Sequence, residues 1–347
     1  MNRTLARLAV LAFASFASAC SMFGGSGQAG SNPAAPAAAV PASGAASTKR
    51  PLLLLACLDD PAFYAAVRSM NLNAARCFIV YQSSGESNGR YDEAKLRTEI
   101  AKVVPADGDP FAMLDFEGEW TDYLKKTPGS AEFVAGQKAL LRLLQVAHEV
   151  RPGAKWAMYG VPGLPFFVTS PTGSTVGWDK GSDKSKEEQF AIGRRAQPVV
   201  DASDWVSPSI YSPYLLSTNP EWTQATPAYS TACTKLAVEM AKGKPVIPMV
   251  WHRVHDSNQR DGLKVLPDDQ FLNGQVKPAL AAGAVGVAWW GADDYFAGVG
   301  KLPPVQLTGV AAGAAAAAPS KANQPTHQQI VQVHIDKLNA MKQIFQQ

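Results

Sequence analysis

Phe111-Ala112-Met113-Leu114-Asp115-Phe116-Glu117-Gly118-Glu119-Trp120 is the stretch on which the reading of this 347-residue chain turns. Four apolar residues run into two acids spaced by one, then into a glycine and a tryptophan. A short run apolar on both faces is the pattern of a parallel strand covered on each side. Polar residues at the C-terminal end of such a strand are where an α/β fold carries its chemistry. Positions i and i+2 of a strand face the same way, so Asp115 and Glu117 should project to one place. Two carboxyls that close raise the pKa of one of them.

Working outward, six more runs have the same character: 52–58, 76–82, 155–161, 205–211, 246–251 and 285–290. With 111–117 they predict seven buried strands. Helical patterns follow the first six. Asp60-Pro61 reads as an N-cap with proline at the first helical position, ahead of Phe63, Val67 and Met70. Asp92 opens a second helix with Leu96, Ile100 and Val103 on one face, and Leu140, Leu141, Leu144 and Ala147 form the stripe of a third. Weaker patterns fill 184–196, 228–242 and 268–282, the last with a kink expected at Pro278. Regular alternation over residues 51–308 predicts an α/β fold, an irregular TIM-like (β/α) barrel of seven strands. The stretch 309–326 is an Ala-rich low-complexity insert. Residues 327–347 form an amphipathic helix with Val331, Ile335, Leu338, Met341 and Phe345 on one face, expected to pack on the barrel.

The beginning of the chain reads as an export signal. Arg3 and Arg7 precede an apolar stretch, and Ala17-Ser18-Ala19-Cys20 is a small-residue cleavage site ending in cysteine. That pattern resembles the bacterial lipobox, which implies a signal peptide over 1–19, a lipid on Cys20 and membrane attachment; Ser21 implies sorting to an outer membrane. Residues 20–50 are rich in Gly, Ser, Ala and Pro and read as a tether. The formal net charge is +3, and the two signal arginines account for all but +1 of it. A near-neutral body argues against nucleic acid as a partner. Cys57, Cys77 and Cys233 remain, and one pair could close in an oxidising compartment by any of three pairings.

The predicted strand ends collect acids and aromatics: Tyr81, Asp115 and Glu117, Tyr159, Tyr211, Trp251, then Trp290 with Asp293. Carboxyls move protons at a glycosidic oxygen and flat rings bind the apolar faces of sugars. A strand that offers both carboxyls from one side suits substrate-assisted retention, with Glu117 as acid and Asp115 orienting the substrate's own 2-acetamido group. His252-x-x-His255-Asp256 has metal-like spacing, but at a strand end its two imidazoles need not converge. No metal or other cofactor is expected. His148, His327 and His334 fall on helices and read as surface residues. Trp178 reads equally as a sugar platform or as a loop anchor.

Several motifs together resemble the hyaluronidase family of glycoside hydrolases. Ala112 to Glu117 is similar to that family's Asp-Phe/Trp-Glu strand, and Pro208-Ser209-Ile210-Tyr211 to its Pro-Ser-Ile/Val-Tyr segment. Pro245-Val246-Ile247-Pro248-Met249-Val250 with Leu266-Pro267-Asp268-Asp269-Gln270-Phe271 resembles the next strand and helix. Gly283-Ala284-Val285-Gly286-Val287-Ala288-Trp289-Trp290-Gly291 resembles the last strand. Phe78-Ile79-Val80-Tyr81-Gln82 echoes an early one. The resemblance implies a seven-strand irregular barrel, Glu117 as acid/base, Asp115 as acetamide partner, and Tyr211 and Trp290 shaping the acetamide pocket. Polysaccharide is the implied partner. After Tyr159-Gly160-Val161-Pro162 the family carries Cys-Tyr-Asn, whereas this chain has Gly163-Leu164-Pro165-Phe166-Phe167. A polyanionic substrate would favour a basic cleft, for which the sequence offers scattered residues such as Arg253. The competing expectation is a glycan-binding, non-catalytic lipoprotein on the same barrel.

Overall fold

The computed structural model describes residues 50–87, 90–298, 300–302 and 324–346. The signal peptide, Cys20, the tether and most of the Ala-rich insert lie outside the described residues. In chain order the strands are β1 (Leu52–Ala56), β2 (Ala74–Tyr81), β3 (Glu86–Ser87), β4 (Arg90–Tyr91), β5 (Phe111–Asp115), β6 (Lys155–Met158), β7 (Phe167–Thr169), β8 (Thr175–Gly177), β9 (Met249–Trp251) and β10 (Gly286–Trp290). The α-helices are α1 (Pro61–Ser69), α2 (Glu93–Val103), α3 (Ala131–Val150), α4 (Asp183–Arg194) and α5 (Gln197–Ala202). They continue as α6 (Ala225–Ala241), α7 (Asp268–Phe271), α8 (Lys277–Ala281), α9 (Asp293–Gly298) and α10 (His327–Phe345). Among the described residues no helix is long and apolar enough to cross a membrane.

Six strands form one parallel sheet in the order β6-β5-β2-β1-β10-β9, while β3–β4 and β7–β8 are small antiparallel hairpins. Alternation along the strands sorts the apolar side chains into two layers. Leu54, Cys77, Met113, Ala157, Met249 and Ala288 meet in one cluster, and these six represent all six strands. Residues from the two edge strands β6 and β9 can share that cluster because the sheet curls. The intervening positions, such as Leu53, Leu55, Leu114, Trp156, Val250 and Val287, pack outward under the helices. Each such buried side chain contributes about 1.5–3 kcal/mol, so register errors that swap the layers are strongly disfavoured.

Local signals place the helices. The Asp60 carboxylate accepts from the N–H groups of Ala62 and Phe63 at 2.8 and 3.0 Å, with Pro61 at the first turn of α1. Asp92 caps α2 through Lys95 N, and Thr326 forms a capping box with Gln329 on α10. Helix α10 buries Ile330, Val331, Leu338, Met341 and Phe345 and packs against α1.

Two expectations are corrected. Residues 205–211 form no ladder strand. Val206, Ser207 and Ser209 make isolated bridges to Val246, Tyr159 and Met249, so the segment touches both edges of the six-strand sheet. Pro208, Pro245 and Pro248 lack the N–H a continuous ladder requires. The helical pattern over 268–282 is interrupted by a π-turn at Leu272–Val276, and Pro278 sits in the first turn of α8, where its missing donor is harmless. No disulfide joins Cys57, Cys77 and Cys233. Cys77 belongs to the inner layer, Cys233 to the outer one, and Cys57 packs against the outer one.

Candidate active site

On β5 the inward positions are Phe111, Met113 and Asp115, and the alternation carries on past the strand to Glu117. Glu117 keeps extended backbone angles (φ −119°, ψ −173°), which holds it on the same side as Asp115. The chain then turns at Gly118, whose φ of +61° is left-handed and favours glycine. Phe116, between the acids, faces outward and packs edge-on against Trp120 at 5.1 Å. The turn that ends the strand is thus fixed by its neighbours.

Asp115 and Glu117 line one small cavity with Ile79, Tyr159, Tyr211, Met249 and Trp290. Its volume is about 30 Å³, room for a single water. The two carboxyls hydrogen-bond each other. Burial pushes the Glu117 carboxyl well up, and the charge of Asp115, the bond between them and the charge of Asp256 add to that effect. Burial also raises Asp115, while the bond from Glu117 opposes the rise. Glu117 therefore holds the proton, and Asp115 is the acceptor.

The aromatic wall is continuous. Tyr211 stacks on Trp290 with centroids 5.7 Å apart and planes 12° apart, and lies 6.2 Å from Tyr159. The Tyr159 hydroxyl donates to Ser209 Oγ at 3.0 Å. Trp290 Nε1–H donates to the Tyr81 hydroxyl at 3.2 Å, which ties β10 to β2 across the mouth. Trp251 is 4.6 Å from Trp290 but fully buried, so it backs the wall rather than facing the cavity.

Sequence reasoning had not singled out Gln82. Its Oε1 accepts from Glu117 N at 3.2 Å, and its Nε2 donates to Glu86 Oε1 at 2.7 Å. The register of β2 on β5, with Tyr81 opposite Asp115, places the residue after Tyr81 beside the residues after Asp115. That neighbourhood is unreadable until the strands are paired.

Asp293 was expected at the substrate, but it is fully buried and its oxygens accept from Arg253 Nε and Nη2 at 2.8 and 2.5 Å. Burial alone would raise its carboxyl; the charge of Arg253 and the hydrogen bonds of Arg253 and His252 hold it well below the usual range. Arg253 is buried too, with Nη1 donating to Leu263 O at 2.7 Å, and is no cleft cation. His334 is another correction, being fully buried against Trp289. Trp178 is buried against Phe190 and is an anchor.

His252, Asp293 and His334 bring ligand atoms within 4.8 Å of one another. Trp289 Nε1–H donates to His252 Nδ1 at 3.1 Å, which leaves the proton of the neutral ring on Nε2. His334 Nδ1 bonds the Ile330 carbonyl, so only its Nε2 offers a lone pair. With both Asp293 oxygens engaged by arginine, the donor set suits a buried ion pair better than a cation. A larger groove of about 690 Å³ lies between α4, α6 and α8 beside Trp178, Lys186 and Lys235, away from the carboxyl pair.

The fold has a solved counterpart. Bee venom hyaluronidase in complex with a hyaluronic acid tetramer superposes with a TM-score of 0.51 at 16% identity, covering 84% of this chain and 98% of that one. The monoclinic crystal form of the bee enzyme gives 0.45 at 15% identity, covering 70% and 91%. A GH18 chitinase from Pseudoalteromonas aurantia gives 0.33 at 14%, covering 63% and 70%. The fold of the described residues is similar to that of bee venom hyaluronidase. No family model matches the sequence, and no curated protein matches it.

Proposed function

We propose that the protein is a glycoside hydrolase that cleaves N-acetylhexosamine-containing polysaccharide by substrate-assisted retention, anchored to the bacterial envelope, at the outer membrane, by a lipid on Cys20. One observation carries the reading. Asp115 and Glu117 line one aromatic-walled cavity together, with no arginine or lysine among its lining residues. The neighbour that holds a hyaluronic acid tetramer supports a polysaccharide as ligand.

In this mechanism Glu117 gives its proton to the glycosidic oxygen as the bond to the anomeric carbon breaks. The carbonyl oxygen of the substrate's 2-acetamido group attacks that carbon and forms a cyclic oxazolinium ion. Asp115 accepts the amide N–H and stabilises the positive charge. Water, deprotonated by Glu117, then opens the ring and restores the starting anomeric configuration. Tyr211 and Trp290 shape the acetamide pocket; burial raises the Tyr211 hydroxyl well above the ordinary range, so it stays neutral.

Glu117→Gln in the full chain should lower hydrolysis of acetylated glycans by about 10²–10⁴-fold with its far-ultraviolet spectrum and melting cooperativity intact. Unchanged turnover rejects the proposal. A second reading, a glycan-binding protein without turnover, is favoured by the small cavity and the Trp290–Tyr81 bond across it. Wild-type binding of acetylated glycans without any product release selects it.

A further inference from the structure

The charge around the carboxyl pair narrows the substrate, on the assumption that the glycosidase reading holds. We infer that the site is built for an uncharged or cationic N-acetylhexosamine chain and discriminates against polymers carrying a uronate on alternate sugars. The cavity is lined by two carboxyls, two tyrosines, a tryptophan and two aliphatic side chains. A third acid, Asp256, sits exposed on the loop after β9. It is close enough for its charge to act on Glu117. His255 lies 3.3 Å from Asp256 and 6.1 Å from the Tyr211 ring. Burial holds that imidazole below its ordinary range and therefore neutral, so it does not cancel the acid.

Among the described residues no arginine or lysine lines the cavity, and Arg253, Lys95 and Lys264 on flanking segments are bonded elsewhere. Arg253 follows Trp251 and His252 but is buried against Asp293 and Leu263 O. Lys95, which reaches the loop after β2, donates to the carbonyls of Ser83 and Glu86. Lys264 bonds Asp261 at 2.9 Å. Arg260 is exposed on the Asp256 loop and is not among the residues that line the cavity.

A second cluster of uncharged aromatic rings follows Tyr211 in the chain. Tyr214, three residues beyond Tyr211, stacks on Trp222 at 5.1 Å and 17°. Phe167, which is 38% exposed, lies 5.6 Å from Trp222. Gln270 Nε2 donates to Tyr214 O and to Ser212 Oγ, which fixes this turn relative to Tyr211. Stacked, partly exposed rings suit the apolar faces of neutral sugars, whereas a uronate beside Asp115 and Asp256 would meet like charge.

The test compares binding of chitohexaose, a partly de-N-acetylated chitohexaose and a hyaluronan hexasaccharide to the full chain carrying Glu117→Gln. That substitution keeps the site's charge, because Glu117 already holds a proton. By titration calorimetry at low salt, both chitohexaoses should bind at least about tenfold tighter than the hyaluronan hexasaccharide. The gap should shrink as salt is raised, and adding Asp256→Lys should narrow it by about tenfold. Hyaluronan binding as tightly as chitohexaose, or a preference indifferent to Asp256→Lys, overturns the inference. If the wild type also cleaves hyaluronan, the glycosidase reading survives that failure. If none of the three glycans binds or is cleaved, both readings fall.

Discussion

Two acid-bearing regions sit at the C-terminal ends of this sheet, and they have opposite electrostatics. At the end of β5, Asp115 and Glu117 are half-buried and face one another; burial pushes both up, and the charge of Asp115 raises Glu117 further. Beyond β10, Asp293 is fully buried, yet Arg253 and His252 hold it well below its ordinary range. Burial acts in the same direction on all three; the partner decides the outcome. An arginine makes the Asp293 cluster part of the architecture. Its absence beside Asp115 leaves a proton available for chemistry.

The largest effect should come from breaking the architectural cluster. Arg253→Met leaves Asp293 buried without its counter-charge and should cost about 3–5 kcal/mol in urea unfolding. A loss below about 1 kcal/mol would mean that the pair does little for the fold. The next effect falls on the other region. Asp115→Asn removes the acceptor that steadies the acetamide, and turnover should fall by about a hundredfold while stability holds or rises. A fall in both would erase the distinction drawn between the two regions.

Their pH dependences should differ in sign. Asp293 titrates lower in the folded chain than unfolded, so its contribution is present above about pH 4 and is lost as pH falls through the depressed folded value. For Asp115 and Glu117 the folded values are raised, so the folded state binds more protons and stability drops as pH rises beyond about 4. Glu117→Gln should therefore match the wild type near pH 3.5 and exceed it by about 1 kcal/mol near pH 8. Melting curves at the two pH values decide this. An equal difference at both would show that the Glu117 proton is not coupled to folding.

What the sequence disclosed follows from the range of the interactions involved. Alternation within one strand was enough to aim Asp115 and Glu117 together, and local caps such as Asp60 and Asp92 started helices where expected. Tyr159, Tyr211 and Trp290 were legible as strand-end aromatics and do meet at the carboxyls. Asp293 and His334 were misread because burial of a polar residue depends on a partner far along the chain: Arg253 lies 40 residues from Asp293. The strand expected over 205–211 failed for a related reason. Its composition fits a strand, but the prolines that break its ladder include two on the neighbouring segment, Pro245 and Pro248.

Gln82 offers the smallest effect and the sharpest view of how the β5 region is held. Its carboxamide is fixed at both ends, Oε1 on Glu117 N and Nε2 on Glu86 Oε1, so it cannot flip without losing one bond. Gln82→Ala leaves the Glu117 N–H without that acceptor, a loss of about 1 kcal/mol, and frees the turn that presents the carboxyl. Turnover should fall about five- to tenfold with KM nearly unchanged, because the glycan contacts at Tyr211 and Trp290 remain. The alkaline limb of the pH–rate profile should also shift, since a looser Glu117 sits farther from Asp115 and loses its proton more readily. Gln82→Glu keeps an acceptor for the Glu117 N–H but sets a carboxylate against Glu86, so it should not restore the wild-type rate. A rise in KM alone, with the pH profile unmoved, would show that Gln82 supports the cleft wall and has no hold on the acid.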